Sequence, residues 1–373
     1  MNILALEPYY GGSHRAFIDG LSKASRHNWT VLSLPAHKWK WRMRHSPITF
    51  AAQAETLVKN DRRWDLLFCS DMLNLAEFIA LAPQGVTGLP KVIYFHENQL
   101  TYPVRVEDER DYHFAMTNLT SALAADAVWF NSRFHMESFL SALARFLKSM
   151  PDHQPIEAIE KIRAKSAVHP PGIGDVSLKR QRKPGPLRIL WAARWEHDKN
   201  PEDFFEALGI LKAKNVPFRI SVLGQSFQDQ PDVFAQARRD FEDLIDHWGY
   251  QQSYNGYCSV LFDADVIVST ASHEFFGIGV LEAVAAGAFP LVPERLSYPE
   301  ILGLGRMEGT EQFFYDGTVA DLAEKLGELA VHVEERTLWP PGITPAILTD
   351  HLKWHNLASQ YDKALTGIHP PEP

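Results

Sequence analysis

Hydrophobic positions fall in short runs of four to six residues, separated by longer stretches in which apolar residues recur at helical spacing. Short apolar runs bounded by turn residues read as buried strands, and three-to-four-residue spacing reads as helix. Candidate strands are Asn2–Leu6, Trp29–Ser33, Leu66–Cys69, Lys91–Phe95 and Ala127–Phe130, with helices predicted over His14–Lys23, Ser70–Leu81 and Tyr112–Ala124. The pattern breaks and restarts. Strands follow at Leu187–Ala192, Phe218–Leu223, Val266–Ser269 and Phe289–Val292, with helices over Glu202–Lys212, Gln236–Trp248 and Gly279–Ala286. Strand–helix alternation of this kind predicts parallel sheets, so the fold class is α/β with two Rossmann-like domains. The stretch His169-Pro-Pro-Gly-Ile-Gly174 and the basic run Lys179-Arg180-Gln181-Arg182-Lys183 read as an interdomain linker, which sets domains at 1–180 and 181–349. Residues 350–373 read as a helix, Asp350–Leu365, and a Pro-rich tail, a candidate to cross back to the first domain. Two open parallel sheets are expected to face a central cleft, and the binding residues are expected just after the strands.

The apolar run at the N-terminus is broken by Glu7 and Pro8 and lacks a basic leader, so it reads as a strand and not a signal peptide. No stretch approaches the roughly 18 consecutive apolar residues of a membrane span. Two cysteines, Cys69 and Cys258, exclude a disulfide framework and suit a reducing, cytoplasmic setting. The net charge of −9 conceals a split: residues 1–190 carry 24 basic and 18 acidic side chains, and residues 191–373 carry 13 and 28. Partners sense local fields, so the first half suits a polyanion better than the total suggests. A solubility preference for acidic surfaces accounts for the split equally well.

Five segments after predicted strands carry chemistry. Gly11-Gly12-Ser13-His14 lets the backbone approach an anion at a helix start, although a plain strand-to-helix turn has the same residues. Tyr94-Phe95-His96-Glu97-Asn98 places an imidazole, an acid and an amide at a strand's carboxyl end. Arg194 and Lys199, five apart across a turn, can converge on a diphosphate, the arginine as a fork and the lysine as a point charge. In His273-Glu-Phe-Phe-Gly-Ile-Gly-Val-Leu-Glu282, the Gly277–Gly279 turn opens a helix whose first amides face no partner. Its two carboxylates, Glu274 and Glu282, can accept hydrogen bonds from sugar and ribose hydroxyls. Finally, Lys38-Trp39-Lys40-Trp41-Arg42-Met43-Arg44 alternates cations with aromatic rings, which suits a strand-like segment or loop stacking on bases and meeting phosphates. A solvated element with its tryptophans packed inward is the other reading of that segment.

Glu274 to Pro290 resembles the E-x7-E motif of retaining family-4 glycosyltransferases, and Arg194 and Lys199 resemble their Arg-x4-Lys pair. The segments EPYYGGSHRAFIDGL, LPAHKWKWRMR, YFHENQLTYPV and FNSRFHMESFL are similar to the glycosyltransferase-like domain-containing proteins, a group whose animal enzyme is a tRNA-queuosine mannosyltransferase. The resemblance implies a GT-B fold, with an acceptor-binding first domain and a nucleotide-sugar-binding second domain. It implies GDP-mannose as donor, queuosine-containing tRNA as partner, and retention of configuration. By motif position, Arg194 and Lys199 hold the diphosphate, Glu282 the ribose, and Glu274 the donor sugar. The amides at Phe276, Gly277 and Ile278 cap sugar and phosphate, Gly11 and Gly12 approach the donor, and His96 meets the transferred sugar. Lys38, Trp39, Lys40, Trp41, Arg42, Arg44 and Asn98 are the candidate acceptor contacts. Trp195-Glu196-His197 departs from the small or apolar residues usual between the two cations, and His169-Pro-Pro-Gly-Ile from the usual Asn-Gly before the linker.

No Asp-x-Asp motif stands in the expected loops, and Arg194 with Lys199 can take a metal's place, so no metal cofactor is expected. Two other functions stay open. The stretch Ser138–Met150 reads as an amphipathic helix, which would suit a lipid acceptor, and glycan or small-molecule acceptors fit the same donor motifs. A non-catalytic RNA- or nucleotide-binding module is expected to lack Glu274, Glu282, Arg194 or Lys199, all of which are present.

Overall fold

The computed structural model describes residues 1–103, 111–174, 176, 184–226, 230–335 and 337–368. These form two compact units, residues 1–172 with the helix Trp354–Thr366, and residues 173–353. The boundary expected at residue 180 and the basic run 179–183 lie outside the described residues.

In the first unit, β1 (Asn2–Tyr10), β2 (Asn28–Pro35), β3 (Leu66–Ser70), β4 (Lys91–Phe95), β5 (Ala127–Phe130) and β6 (Ser166–Val168) form one parallel sheet in the order β2-β1-β3-β4-β5-β6. Strands β3 and β5 are buried at every position and β4 at four of its five, which is why they read as near-continuous apolar runs. The order reverses between β1 and β3, and the helix Gly12–Ala24 starts at that reversal. The helix Trp354–Thr366 belongs to this unit: Tyr361 donates from its hydroxyl to the carbonyls of His169 (3.0 Å) and Pro170 (2.9 Å), and Asp362 accepts from Ser25 Oγ (2.5 Å).

In the second unit, β7 (Leu187–Ala192), β8 (Phe218–Leu223), β9 (Ile245–Gly249), β10 (Val266–Val268), β11 (Phe289–Pro293) and β12 (Phe314–Tyr315) form a parallel sheet in the order β12-β11-β10-β7-β8-β9. Its reversal lies between β7 and β10, so Arg194 and Glu274 both follow strands at a topological switch point.

Four expectations change. The helix predicted over Gln236–Trp248 is a helix only over Val233–Asp240, then a 3-10 turn and edge strand β9, which Arg219 pins through Asp246 Oδ1 (2.8 Å from Nε). Ser70 ends strand β3, residues 71–74 turn, and the helix begins at Leu75, where the Asn74 side chain accepts from the Glu77 amide (3.2 Å). The segment read as strand-like around Trp39 starts a 21-residue helix, Trp39–Lys59. The stretch Ser138–Met150 lies largely in the helix Arg133–Lys148, whose Phe139, Leu140, Leu143, Phe146 and Leu147 are core residues. That apolar face is spent on the fold and is not available to a lipid surface. Among the described residues no helix is long and apolar enough to cross a membrane.

Candidate functional sites

The second unit gathers the predicted donor residues around β7 and β10. Lys199 is buried, with Nζ 3.1 Å from Asp198 Oδ2 and 3.3 Å from Glu274 Oε2, and it donates to the His273 carbonyl at 2.7 Å. Burial alone would lower the lysine's pKa, but the Glu274 and Asp198 carboxylates raise it. Burial alone would likewise raise Glu274, and Lys199 with the Phe276 amide holds it below its ordinary value. The pair is therefore charged on both sides. Arg194 is more open and meets Glu196 Oε2 at 2.9 Å.

Backbone geometry places these groups. Asn200 adopts a left-handed φ of 47° and, with Pro201 as the first helical residue, turns the chain from Lys199 into the helix Pro201–Ala213. Trp195 is buried, stacks on Phe234 with centroids 4.2 Å apart, and meets Trp248 edge-on. The tryptophan that departs from the family pattern thus anchors the Arg194 loop. Gly277 has φ 91° and opens the helix Ile278–Ala285, and among the described residues no side chain caps that start. The amide of Phe276 donates to Glu274 Oε1 at 3.4 Å, so it orients the acid, and the amides of Gly277 and Ile278 begin the helix. Helix-start amides of this kind attract anionic groups.

Glu282 lies inside that helix and accepts a 2.8 Å hydrogen bond from the Tyr257 hydroxyl. Burial lifts its pKa to about 7, against the tyrosine's opposite pull. Sequence reasoning missed Tyr257 because it comes from the separate helix Tyr254–Asp263. It also missed Arg295, which donates from Nε to the Ala271 carbonyl (3.2 Å), and Tyr298, whose hydroxyl lies 2.6 Å from Ser269 Oγ. Both fasten the loop that carries Glu274, and neither stands in a local motif.

In the first unit, Gly11 packs so closely on Ala36 that a Cβ would collide with it, and Gly12 takes φ 51° at the helix start. His96 follows β4. Its amide donates to Asp71 Oδ1 (2.8 Å) and its carbonyl accepts from Asn131 Nδ2 (2.9 Å). Its half-buried ring lies 4.0 Å from the His14 ring, centroid to centroid, and meets Phe17 edge-on. Among the described residues none is hydrogen-bonded to that ring. Buried His14 meets Glu7 at 3.3 Å, and Glu7, His14 and His96 bring one ligand-type atom each within 4.8 Å of one another, a geometry of metal-ligating residue types. Glu7, His14 and Asp71 were given no role on the sequence; Glu7 and Asp71 do stand where β1 and β3 run out, a position the strand-end rule reaches.

The candidate acceptor residues divide. Lys38, Lys40, Trp41 and Arg44 are exposed, Trp41 at 61%. Trp39 turns inward on Phe114 (5.0 Å), and Arg44 lies over the same ring. Arg42 donates to the Pro35 carbonyl at 2.9 Å. Asn98 is fully buried: its oxygen accepts from the amides of Leu100 and Thr101, and its nitrogen donates to Thr101 Oγ1. It shapes the loop after His96 and offers nothing to an acceptor.

Residues 177–336, which hold the Lys199–Glu274 pair and the open helix start, match the family model described as glycosyl transferases group 1, and this defines the class of protein as a glycosyltransferase. Residues 2–173 match the model described as tRNA-queuosine alpha-mannosyltransferase N-terminal. A curated relative from Drosophila melanogaster, a tRNA-queuosine alpha-mannosyltransferase, is 36% identical over 312 residues, covering 80% of this chain and 81% of its own. The chain belongs to the tRNA-queuosine alpha-mannosyltransferase family. Among solved structures, Anabaena HepE in complex with UDP and glucose has a TM-score of 0.70 at 14% identity, covering 99% of this chain and 100% of its own. Sucrose-phosphate synthase from Thermosynechococcus elongatus has a TM-score of 0.70 at 15% identity, covering 98% of each chain. These likenesses identify the fold as GT-B.

Proposed function

We propose that the chain transfers mannose from GDP-mannose to the queuosine of a tRNA anticodon loop, with retention of configuration and without a metal cofactor. The observation that carries this reading is the charged Lys199–Glu274 pair beside the open helix start at Gly277, in a chain whose first 173 residues match the queuosine-enzyme model. The donor diphosphate is assigned to Arg194 and the amides of Gly277 and Ile278, with the buried Lys199 lending its charge from behind, the ribose to Glu282, and hydroxyls of the sugar to Glu274. As the bond from the anomeric carbon to the diphosphate breaks, negative charge grows on the leaving oxygen. Fixed cations and helix-start amides stabilise that charge as it develops, with no metal ion required. The acceptor hydroxyl oxygen bonds to the anomeric carbon on the face the diphosphate leaves. Its proton passes to the departing phosphate, so no strong protein base is needed. Trp41, Lys38, Lys40 and Arg44 are assigned to the RNA, since unstacked loop bases stack on exposed aromatic rings and cations meet the phosphates. Two buried free cysteines suit a cytoplasmic setting.

Purified protein with radiolabelled GDP-mannose and two tRNA pools, one containing queuosine and one lacking it, tests the reading. Label confined to the queuosine pool supports donor, acceptor and modification dependence together. Label in neither pool removes the proposal.

A further inference from the structure

Strand β1, the turn after β3 and the loop after β4 bring together side chains that the transfer chemistry does not use. Glu7 on β1 is buried, and so is Asp71 just after β3. Among the described residues no lysine or arginine lies within ion-pair distance of either acid. A buried carboxylate is paired with a cation, neutralised, or bound to a metal. Asp71 holds the His96 amide with one oxygen at 2.8 Å, and its other oxygen, Oδ2, is buried with no partner among the described residues. Glu7 faces two imidazoles: one ligand-type atom each of Glu7, His14 and His96 lie within 4.8 Å of one another. His14 Nδ1 is 3.3 Å from each Glu7 oxygen. That is long for a charge-assisted hydrogen bond, which closes to about 2.7–2.9 Å. It matches the spacing of two ligands on one ion, because ligands about 2.1 Å from a tetrahedral centre stand about 3.4 Å apart. We propose that Glu7, His14 and His96 form a binding site for a zinc-class divalent cation in the first unit, with a fourth position open to water.

The donor set selects the ion. Two imidazoles and one carboxylate suit zinc and its neighbours, whereas magnesium and calcium take oxygen ligands. Three protein ligands and a water make up a zinc site with an open position. The ligands are already held from behind, as metal ligands are. Glu7 Oε1 accepts from the Tyr9 amide (2.8 Å) and the Ser70 hydroxyl (3.1 Å), which leaves Oε2 for an ion. His14 stands in the first turn of the helix Gly12–Ala24, and its ring meets the Tyr9 ring edge-on. The backbone of His96 is fixed by Asp71 and by Asn131 Nδ2 (2.9 Å), and no described residue is hydrogen-bonded to its ring. That ring can turn about its side-chain torsions toward Glu7 and close the last of the distance. Half-buried His96 is the most open of the three and gives an ion its way in. The ligands come from three segments, so an ion there ties the helix start and the loop after β4 to β1. The site lies wholly in the first unit, and the leaving phosphate is assigned to residues of the second. The ion stands outside the transfer reaction proposed above, so the two readings fail separately.

The full-length protein, stripped with a chelator and titrated with zinc chloride against a chromophoric competitor at pH 8, tests the proposal. At that pH protons compete little for the imidazoles. One equivalent is expected to bind at micromolar zinc or tighter and to raise the melting temperature. Cobalt(II) in its place is expected to give the intense visible absorption of a four-coordinate ion. Glu7→Gln, His14→Gln and His96→Gln are each expected to weaken zinc at least about tenfold and to abolish the cobalt spectrum. His96 is half-buried, so His96→Gln is the variant that keeps the fold if the buried positions do not, and a zinc-free melting curve like the parent's certifies it. No equivalent bound at micromolar zinc overturns the proposal, as does an equivalent that His96→Gln leaves at full affinity. No transfer assay enters, so the outcome stands whichever way the queuosine experiment falls.

Discussion

Arg194→Ala separates what a residue does for the fold from what it does for the reaction. Arg194 is 44% exposed in its side chain and Glu196 32%, so their ion pair lies in water's reach. Exposed pairs of this kind contribute about 0.2–1 kcal/mol before salt screens them. The backbone bonds that shape the loop, Trp195 N to Gln225 O (3.0 Å) and Glu196 N to Arg194 O (2.8 Å), survive the substitution, as does the Trp195–Phe234 stack. A unit of this size shifts its Tm by about 2–4 °C per kcal/mol, so the variant is expected to melt within about 4 °C of the parent. The reaction feels the loss differently. A fixed group aimed at charge that grows in the transition state is worth about 2.7–4 kcal/mol, or a factor of roughly 10²–10³ in rate. The assay is initial-rate transfer of labelled mannose to queuosine tRNA, with a melting curve on the same preparation. Arg194→Lys is expected between the two, because it keeps the charge and loses the fork. Transfer within about threefold of the parent at unchanged Tm refutes the assignment of Arg194 to the diphosphate.

Lys199→Met is expected to behave in the opposite sense on stability: it leaves the buried Asp198 carboxylate and the half-buried Glu274 without their shared cation, at a cost toward the lower end of about 3–5 kcal/mol. A Tm drop on the order of 10 °C follows, and an unchanged melting curve sinks the buried ion pair. Glu282 has a folded pKa of about 7, above its ordinary 4.5, so its contribution to stability is full below the unfolded value and is lost as pH rises through about 7. Glu282→Gln should therefore gain Tm relative to the parent at pH 8 and not at pH 4, read by calorimetry. Ribose binding needs the carboxylate, so the affinity for GDP should weaken as pH falls below about 7, with the midpoint moved up in Tyr257→Phe; a pH-independent affinity refutes this. Trp41→Ala removes an exposed ring and should change stability by no more than about 0.5 kcal/mol. Loss of base stacking, about 1–3 kcal/mol, should raise the KM for tRNA roughly 5- to 150-fold and leave that for the donor unchanged; equal KM values for tRNA exclude Trp41 from the RNA contact.

The elements that could be read from the sequence are those buried enough to write a continuous pattern. Lys91–Phe95, Ala127–Phe130, Leu187–Ala192 and Phe218–Leu223 fold over the residues expected. Edge strands β6, β9 and β12 are short and partly exposed or lack a run of their own, so no period announces them. The helix Trp39–Lys59 hides behind an alternation of aromatic and basic residues that mimics a strand. Trp39 and Met43, four apart, turn inward while Lys40, Trp41 and Arg44 face out, and Pro47 in its interior reads as a break. The candidate donor site shows the same division. Arg194, Lys199, Glu274, Gly277 and Glu282 stand in two local motifs and were legible. Tyr257, Arg295 and Tyr298 act on those motifs from other elements, and Asp71 and His14 meet His96 from 25 and 82 positions away, which no local spacing can carry.

The acidic half of the chain holds the residues assigned to an anionic donor, and the local charges explain why the average misleads. Exposed charges more than about 10 Å away are largely screened, so a diphosphate responds to its immediate neighbours. Those neighbours are two cations and three acids: Arg194 with Glu196, and Lys199 with Asp198 and Glu274. The two cations are not equivalent. Arg194 and Glu196 are both partly exposed, so an arriving phosphate can exchange with Glu196 at little cost. Lys199 is buried between two carboxylates and donates to a backbone carbonyl, so exchanging its partners would strand a buried charge. Under the proposed function, the direct contact with the leaving group therefore falls to Arg194 and the amides at Gly277 and Ile278. Lys199 acts from behind, by fixing Glu274 as an anion and by lending its field to a site that is otherwise acidic.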